Sequence, residues 1–148
     1  PSALNRQPWR LVLIQDKAVI DEIDALGLAR LREQDEAGYN RIQGRGGKLL
    51  YDAPAMIVVA VQPQPGRLSA DLDAGIVASH LTLAATSLGI GSVICGLAHL
   101  AFDGPDGARL QARLGFPEGF EFGISVLLGN PVAPGEPHAP DYAKIIEA

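Results

Sequence analysis

Residues 56–61 have the sequence MIVVAV, and this run decides the fold class. All six side chains are apolar and four of them are β-branched, which predicts an interior β-strand that is covered on both faces. Pro54 and Pro63 bracket the run on its two sides. We therefore expect this strand to lie inside a sheet, in a domain built from packed layers.

Strand and helix signals alternate on both sides of this strand. Residues 10–15 (RLVLIQ) predict a second buried strand, and Asp16 can cap a helix that follows it. Residues 92–95 and 122–128 predict two more strands, and a helix is expected over residues 105–114. About four strands and three helices predict a layered α/β or α+β domain.

Residues 71–88 predict a helix with apolar or small side chains on nearly every face. Asp71 and Asp73 lie in its first turn, and Gly89 can end it. A helix without a polar face has to be buried, either in the middle of the domain or against a second subunit.

Two segments are expected to lie outside the core. Residues 33–47 are polar and contain four glycines, which predicts a mobile surface loop near the functional site. Residues 131–140 contain four prolines and predict an extended chain. We expect residues 131–148 to form a C-terminal arm.

Length and charge limit the classes of protein that fit. A chain of 148 residues is long enough for one domain with one core. The net charge of −5 comes without a basic block, so neither nucleic acid nor an anionic membrane is expected as a partner. No apolar run approaches the roughly 20 residues that span a bilayer. The single cysteine and the lack of a signal peptide favour the cytoplasm.

Gly89, Gly91 and Gly96 invite comparison with a dinucleotide-binding motif, in which glycines lie between a strand and the helix that follows it. Here the glycines end a predicted helix and lead into a strand, and their spacing is not G-x-G-x-x-G. We therefore expect a helix end followed by a tight turn, and no Rossmann-type site.

The cysteine and histidines do not form a recognisable reactive site. Cys95 lacks a nucleophile signature and is expected to be a buried structural residue. His80 fits a core or interface position, and His99 and His138 stand alone. Their spacing is not that of zinc ligands, so we predict no metal.

Residues 1–10 (PSALNRQPWR) place Ser2, Asn5 and Gln7 just ahead of the first strand. This row of neutral donors and acceptors can hydrogen-bond to the edge of a polar ring. The same side chains can instead shape and cap a turn, because Ser and Asn bond readily to nearby backbone. These residues by themselves leave both interpretations open.

The first nine residues, PSALNRQPW, resemble the P-S-x-x-N-x-Q-P-W segment of the nitroreductase family. Later landmarks follow in the family's order over nearly the whole chain: Asp52-Ala53-Pro54, Asp73-Ala74-Gly75, Leu83-Ala84-Ala85, Leu88-Gly89-Ile90-Gly91-Ser92 and Leu128-Gly129-Asn130-Pro131. The resemblance implies an α+β, nitroreductase-like three-layer fold, with a mixed or antiparallel central sheet flanked by helices. It also implies a homodimer with an FMN in each of two sites at the subunit interface.

The resemblance assigns two groups of residues to FMN, and neither supplies a catalytic side chain. The first group lies along the flavin ring and ribityl chain, with Gln7 in a supporting role: Ser2, Ala3, Asn5 and Gln7. The second passes the ring's reactive edge, where a backbone N–H hydrogen-bonds to flavin N5: Val93, Ile94, Cys95 and Gly96.

The phosphate end of FMN is where this sequence departs from the family. Members usually carry an R-S-x-R-type motif on a helix ahead of the opening segment, and this motif grips the phosphate. We therefore expect residues 1–148 to be an N-terminally truncated core. His138 is the candidate phosphate contact where the family tends to have Lys or Arg, and Lys48 is a weaker candidate contact to the ring.

The function that the resemblance implies is FMN-dependent oxidation of NAD(P)H. Hydride passes to the flavin, and an oxidised acceptor such as a nitroaromatic or a quinone then takes it in ping-pong order. No acid–base pair is required. One alternative is a non-catalytic flavin-binding or flavin-sequestering protein, and another is a related reaction such as dehalogenation or flavin fragmentation.

Overall fold

The computed structural model describes residues 2–63, 70–132, 136 and 138–147. Within these ranges the chain forms four strands and five α-helices. The strands are β1 (Trp9–Ile14), β2 (Ala55–Val61), β3 (Gly91–Cys95) and β4 (Glu121–Gly129). The helices are α1 (Lys17–Gln34), α2 (Glu36–Gly44), α3 (Ala70–Ser87), α4 (His99–Phe102) and α5 (Gly107–Arg113).

The strands form one antiparallel sheet in the order β1-β2-β4-β3. β2 pairs with β1 on one side and with β4 on the other, so it is an interior strand. Met56, Val58 and Val59 have no exposed surface, as expected for a strand covered on both faces. The interior strand predicted for residues 56–61 is confirmed, and the sheet is antiparallel where the resemblance allowed a mixed one.

Helices cover both faces of the sheet. On one face, Ile23 of α1, Ile42 of α2 and Leu110 of α5 pack in a cluster with Met56 and Leu127 of the sheet. On the other face, α3 is the one helix of the described residues that packs against the sheet, through a smaller cluster. That cluster contains Val59, Val61, Ala70, Ala74 and Val77. The predicted three-layer α+β fold is confirmed.

The step from β1 to α1 follows from one capping residue. The Asp16 carboxylate accepts a hydrogen bond from Ala18 N at 2.9 Å, which satisfies a backbone donor that the first helical turn leaves unpaired. The helix predicted to start after Asp16 is therefore confirmed.

The prediction of a mobile loop over residues 33–47 is wrong. α1 continues to Gln34, and α2 occupies Glu36–Gly44. Asp35 caps α2 by accepting a hydrogen bond from Gly38 N at 2.8 Å, and Ile42 anchors the helix in the core. One cap and one buried side chain outweigh the low helix propensity of the glycines, as tertiary packing often does.

The helix predicted over residues 71–88 is present as α3, but only part of its surface is covered. Ala74 and Ala78 are buried on the side that faces the sheet. Leu72 and Leu83 are 67% and 66% exposed, and Leu88 just beyond the helix is 73% exposed. In one copy of the chain, part of the apolar surface of α3 is therefore exposed to solvent. That a second subunit buries this surface stays a prediction.

The C-terminal arm lies partly outside the described residues, which omit 133–135, 137 and 148. The part that is described carries a short 3-10 turn at Tyr142–Lys144, and Tyr142, Ile145 and Ile146 are exposed. No described helix combines the length and the apolar character needed to cross a lipid bilayer.

Candidate functional site

The opening segment folds into a loop that its own polar side chains hold together. Gln7 N donates to Ser2 Oγ at 2.8 Å, and Gln7 Nε2 donates to Asn5 Oδ1 at 2.8 Å. Asn5 N donates to Ser2 O at 3.0 Å and closes a tight turn between them. Ser2, Asn5 and Gln7 are therefore close together, with Gln7 at the centre of these hydrogen bonds.

The loop has an unusual backbone. Leu4, Asn5 and Gln7 all have left-handed φ angles, of 53°, 53° and 50°. Such angles are strained for residues other than glycine, and they often mark places where a binding requirement sets the conformation. Asn5, Gln7 and the neighbouring Ala3 are exposed, so this strained loop faces outward.

The base of the loop is anchored to the sheet. Gln62 N donates to the carbonyl of the buried Pro8 at 2.8 Å, and Trp9 packs against the core under α3. The Arg10 guanidinium donates to the Trp9 and Gln7 carbonyls at 2.8 and 3.3 Å. The loop is consequently placed at the end of the sheet where β1 starts.

The second predicted group of residues lies at the end of β3. Val93 and Ile94 are 40% and 46% exposed, and Gly96 is also exposed, whereas Cys95 is buried. The buried Ser125 hydroxyl on β4 donates to the Cys95 carbonyl at 2.7 Å. His99 N donates to the Gly96 carbonyl at 2.9 Å. Hydrogen bonds on both sides thus fix the turn that follows β3.

The Cys95 thiol is not placed for nucleophilic chemistry. Burial raises the pKa of this thiol, although hydrogen bonds from the Ala98 and Leu97 backbone offset part of the rise. The thiol therefore stays protonated at neutral pH and unreactive as a nucleophile. Any role of Cys95 at this site then has to come from its main chain.

We expect Cys95→Ala to cost only about 1 kcal/mol in the free energy of unfolding, because it removes one buried sulfur atom. FMN affinity should stay within about twofold of the unchanged protein, since the main chain at this position is retained. Urea unfolding and a fluorescence titration with FMN measure the two quantities. Loss of turnover in a variant that still binds FMN would show instead that the sulfur takes part in the reaction.

A groove of about 460 Å³ lies at the opposite end of β3 and includes Val93. Its volume is in the range of small-molecule sites. Its walls come from the segments before β2, at the start of β3 and at the end of β4: Tyr51–Pro54, Gly91–Val93, Leu127–Asn130 and Val132. Apolar side chains dominate the lining, and Ser92, Asn130 and Asp52 add polar groups.

One wall of the groove is strained and tightly held. Tyr51 and Asp52 have left-handed φ angles of 55° and 56°. Leu50 N donates to the buried Asp24 carboxylate at 2.7 Å, and Lys17 Nζ lies 2.7 Å from Asp52 Oδ1. The Arg45 guanidinium stands 4.8 Å from the centroid of the Tyr51 ring. We did not predict this groove from the sequence, although Asp52-Ala53-Pro54 and Asn130 fall in two of the family-like landmarks.

The opening loop and the β3 turn lie on opposite edges of the same sheet. β1 starts and β3 ends at the same end of the sheet, but the strand order places them at its two edges. Three strand spacings separate those edges, which is about 14 Å. The structure therefore brings each predicted group together internally and keeps the two groups apart within one copy of the chain.

The other candidate residues, His138, Lys48 and His80, belong to neither the opening loop nor the turn after β3. His138 is exposed, and within the described part of the chain it has no hydrogen bond or ion pair. Lys48 Nζ lies 3.5 Å from Asp21 Oδ1, and Asp21 also pairs with Lys17. His80 Nδ1 is 2.8 Å from the Ile76 carbonyl on its own helix. Among the described residues, no group of three or more His, Cys, Asp or Glu side chains is placed to hold a metal ion.

An antiparallel sheet with α3 on one face and four helices on the other defines an α+β protein of the nitroreductase-like fold class. The model of the Nitroreductase family matches residues 1–127, and the chain belongs to this family. No curated protein matches the chain.

Three solved structures illustrate the similarity. A nitroreductase with bound FMN from Desulfitobacterium hafniense DCB-2 is 46% identical, with a TM-score of 0.93 over 100% of this chain and 79% of the other. A nitroreductase with bound FMN from Bacteroides fragilis NCTC 9343 is 22% identical, with a TM-score of 0.84 over 100% of this chain and 80% of the other. An iodotyrosine deiodinase bound to FMN and 3-iodo-L-tyrosine is 18% identical, with a TM-score of 0.69 over 100% of this chain and 79% of the other. The last two support the fold alone.

Proposed function

We propose that this protein is an FMN-dependent oxidoreductase that uses NADH or NADPH to reduce a small oxidised acceptor. The observation that carries the proposal is the arrangement of its two polar segments in a chain of the Nitroreductase family. A loop of neutral donors and a fixed main-chain turn lie at the same end of the sheet, on opposite edges. The 46% identical nitroreductase has FMN bound, which supports the choice of cofactor.

The described residues fit a flavin ring. Asn5 Oδ1 and Ser2 Oγ each accept a hydrogen bond within the loop, so the Asn5 amide NH₂ and the Ser2 hydroxyl hydrogen suit acceptors on the ring's polar edge. Val93 and Ile94 offer exposed apolar surface for the ring, and the exposed main chain at Gly96 is placed to offer an N–H donor. His138 remains the predicted contact to the phosphate.

We infer that the two segments meet across a homodimer. One ring that touches both needs the opening loop of one copy beside the β3 turn of the other, because about 14 Å separates the two edges within one copy. The open apolar surface of α3, with Leu72 and Leu83, supplies an area that such a dimer would bury.

Bound FMN would supply the redox chemistry, because flavin N5 accepts a hydride from NAD(P)H and returns it to an acceptor. The protein's part is to hold the ring, orient it and keep water from the reacting edge. Neutral donors suffice for that task, so no acid–base pair of side chains is required.

The acceptor is proposed by class only, as a nitroaromatic, a quinone or a related oxidised small molecule. The groove of about 460 Å³ that starts at Val93 is large enough for molecules of this size. An iodotyrosine deiodinase shares the fold, so the fold is compatible with dehalogenation as well. We propose the cytoplasm, where NADH and NADPH are plentiful, as the place of action.

The proposal is tested by supplying the purified protein with FMN and measuring bound flavin and NAD(P)H oxidation together. We expect a yellow protein that oxidises NADH or NADPH when a quinone or nitroaromatic acceptor is present. Bound FMN without turnover on any acceptor would favour the non-catalytic flavin-binding protein. Failure to bind FMN would overturn the proposal.

A further inference from the structure

Ser125 is a buried hydroxyl in a strand of apolar residues. It lies on β4 opposite Cys95, has no exposed surface, and is followed by the buried Val126 and Leu127. Its Oγ donates a hydrogen bond to the Cys95 carbonyl at 2.7 Å. Burying a hydroxyl costs little free energy only when it has a hydrogen-bond partner. The partner of the Ser125 hydroxyl is the carbonyl at the end of β3.

That hydrogen bond sets the direction of another main-chain group. The Cys95 carbonyl and the Gly96 N–H belong to one planar trans peptide, so they point in opposite directions. With the carbonyl held toward Ser125, the Gly96 N–H is directed to the other side, away from β4. Gly96 is exposed, so this side is open to a ligand.

Gly96 itself does little to fix this peptide. Glycine has the widest choice of backbone angles, and a Cβ here would meet only Ile124 Cδ1, at 3.7 Å. The peptide after Gly96 is held separately, because His99 N donates to the Gly96 carbonyl. Ser125 is thus a side chain that holds the carbonyl of the peptide before Gly96, in addition to the pairing of β3 with β4.

We propose that Ser125 is a positioning residue that aims the Gly96 N–H at the reactive edge of the flavin. This inference rests on the proposed function. Ser125 does not touch the ring and acts through the Cys95–Gly96 peptide. Its removal should weaken the hydrogen bond from the protein to the ring, leaving the apolar contacts of Val93 and Ile94 in place.

The test compares Ser125→Ala with Ser125→Thr, which keeps a hydroxyl, and with Ile23→Val, which removes a methylene from the same core on α1. The NMR order parameter of the Gly96 amide is measured by relaxation in FMN-free protein, so this readout does not depend on bound flavin. FMN affinity and the flavin midpoint potential are then measured for the variants that bind it.

We expect Ser125→Ala to lower the order parameter of the Gly96 amide, to weaken FMN binding by about tenfold and to shift the midpoint potential. Ser125→Thr should restore all three, and Ile23→Val should change none of them. If Ser125→Ala does not fold, Ser125→Cys keeps a donor of slightly larger size that donates more weakly, and it should give the same changes to a smaller extent.

Two results would overturn this proposal. One is an unchanged order parameter of the Gly96 amide in Ser125→Ala, which would show that the peptide is held without the hydroxyl. The other is a Ser125→Ala protein whose flavin midpoint potential and FMN affinity change no more than those of Ile23→Val. Failure of the unchanged protein to bind FMN would overturn the proposed function, while the relaxation experiment would still report on the Cys95–Gly96 peptide.

Discussion

Ala84→Arg is expected to dissociate the homodimer that we propose and to release FMN in the same step. Ala84 lies on the exposed side of α3, as does Leu83, and it lines a cavity of about 340 Å³ together with Trp9 at the base of the opening loop. Burying an unpaired guanidinium at a subunit interface costs several kcal/mol, so dimerisation should weaken by at least about 100-fold. Light scattering gives the molar mass, and absorbance gives the flavin that remains bound.

Ala25→Arg is the matched control, because Ala25 is an exposed alanine on α1, in the layer on the other face of the sheet. It should leave a dimer with its flavin. A monomeric Ala84→Arg protein that keeps FMN would contradict the shared site, because each copy would then hold the ring alone.

Asn5→Ala is expected to weaken FMN binding by at least about tenfold. The substitution removes the amide that we propose as a donor to the ring, and it also removes the acceptor for Gln7 Nε2. The left-handed φ of 53° at this residue suits Asn better than Ala, so the loop should lose its conformation as well. A fluorescence titration with FMN measures the affinity, and circular dichroism checks that the helices are intact.

Asn40→Ala on the exposed surface of α2 is the control for removing an exposed asparagine. It should leave FMN affinity unchanged. If Asn5→Ala bound FMN as tightly as this control, Asn5 would not contact the ring. The opening loop would then be only a capped turn, which is the other interpretation that its residues allow.

The parts of the fold that could be predicted are those in which a local pattern and the tertiary structure agree. Residues 56–61 are β-branched and apolar, and they form the interior strand β2. Asp16 is a good helix cap, and α1 starts directly after it. α2 was missed because its glycines argue against a helix, whereas the cap at Asp35 and the packing of Ile42 and Tyr39 against the core stabilise it.

The candidate site was predictable only where its residues are adjacent in sequence. Ser2, Asn5 and Gln7 are hydrogen-bonded within one short loop, so a local pattern reveals them. Ser125 and Cys95 are 30 residues apart, and the register of β3 and β4 alone brings them together. The groove combines three separate segments, so no single stretch of sequence carries its signal.

In the homodimer that we propose, each FMN is held by the opening loop of one subunit and the β3 turn of the other. A heterodimer of an Asn5→Ala subunit and a Gly96→Asp subunit, isolated with two different affinity tags, tests it most directly. The space around Gly96 accepts a side chain, so Gly96→Asp should fold while blocking the ring edge. Each homodimer of a variant should bind little FMN.

In the heterodimer, one site combines the intact loop of the Gly96→Asp subunit with the intact turn of the Asn5→Ala subunit, and the other site carries both defects. We expect this heterodimer to bind about one FMN per dimer, against about two in the tagged dimer without substitutions. A heterodimer that binds no more FMN than the two variant homodimers would contradict the claim, because loop and turn would then belong to the same subunit at each site.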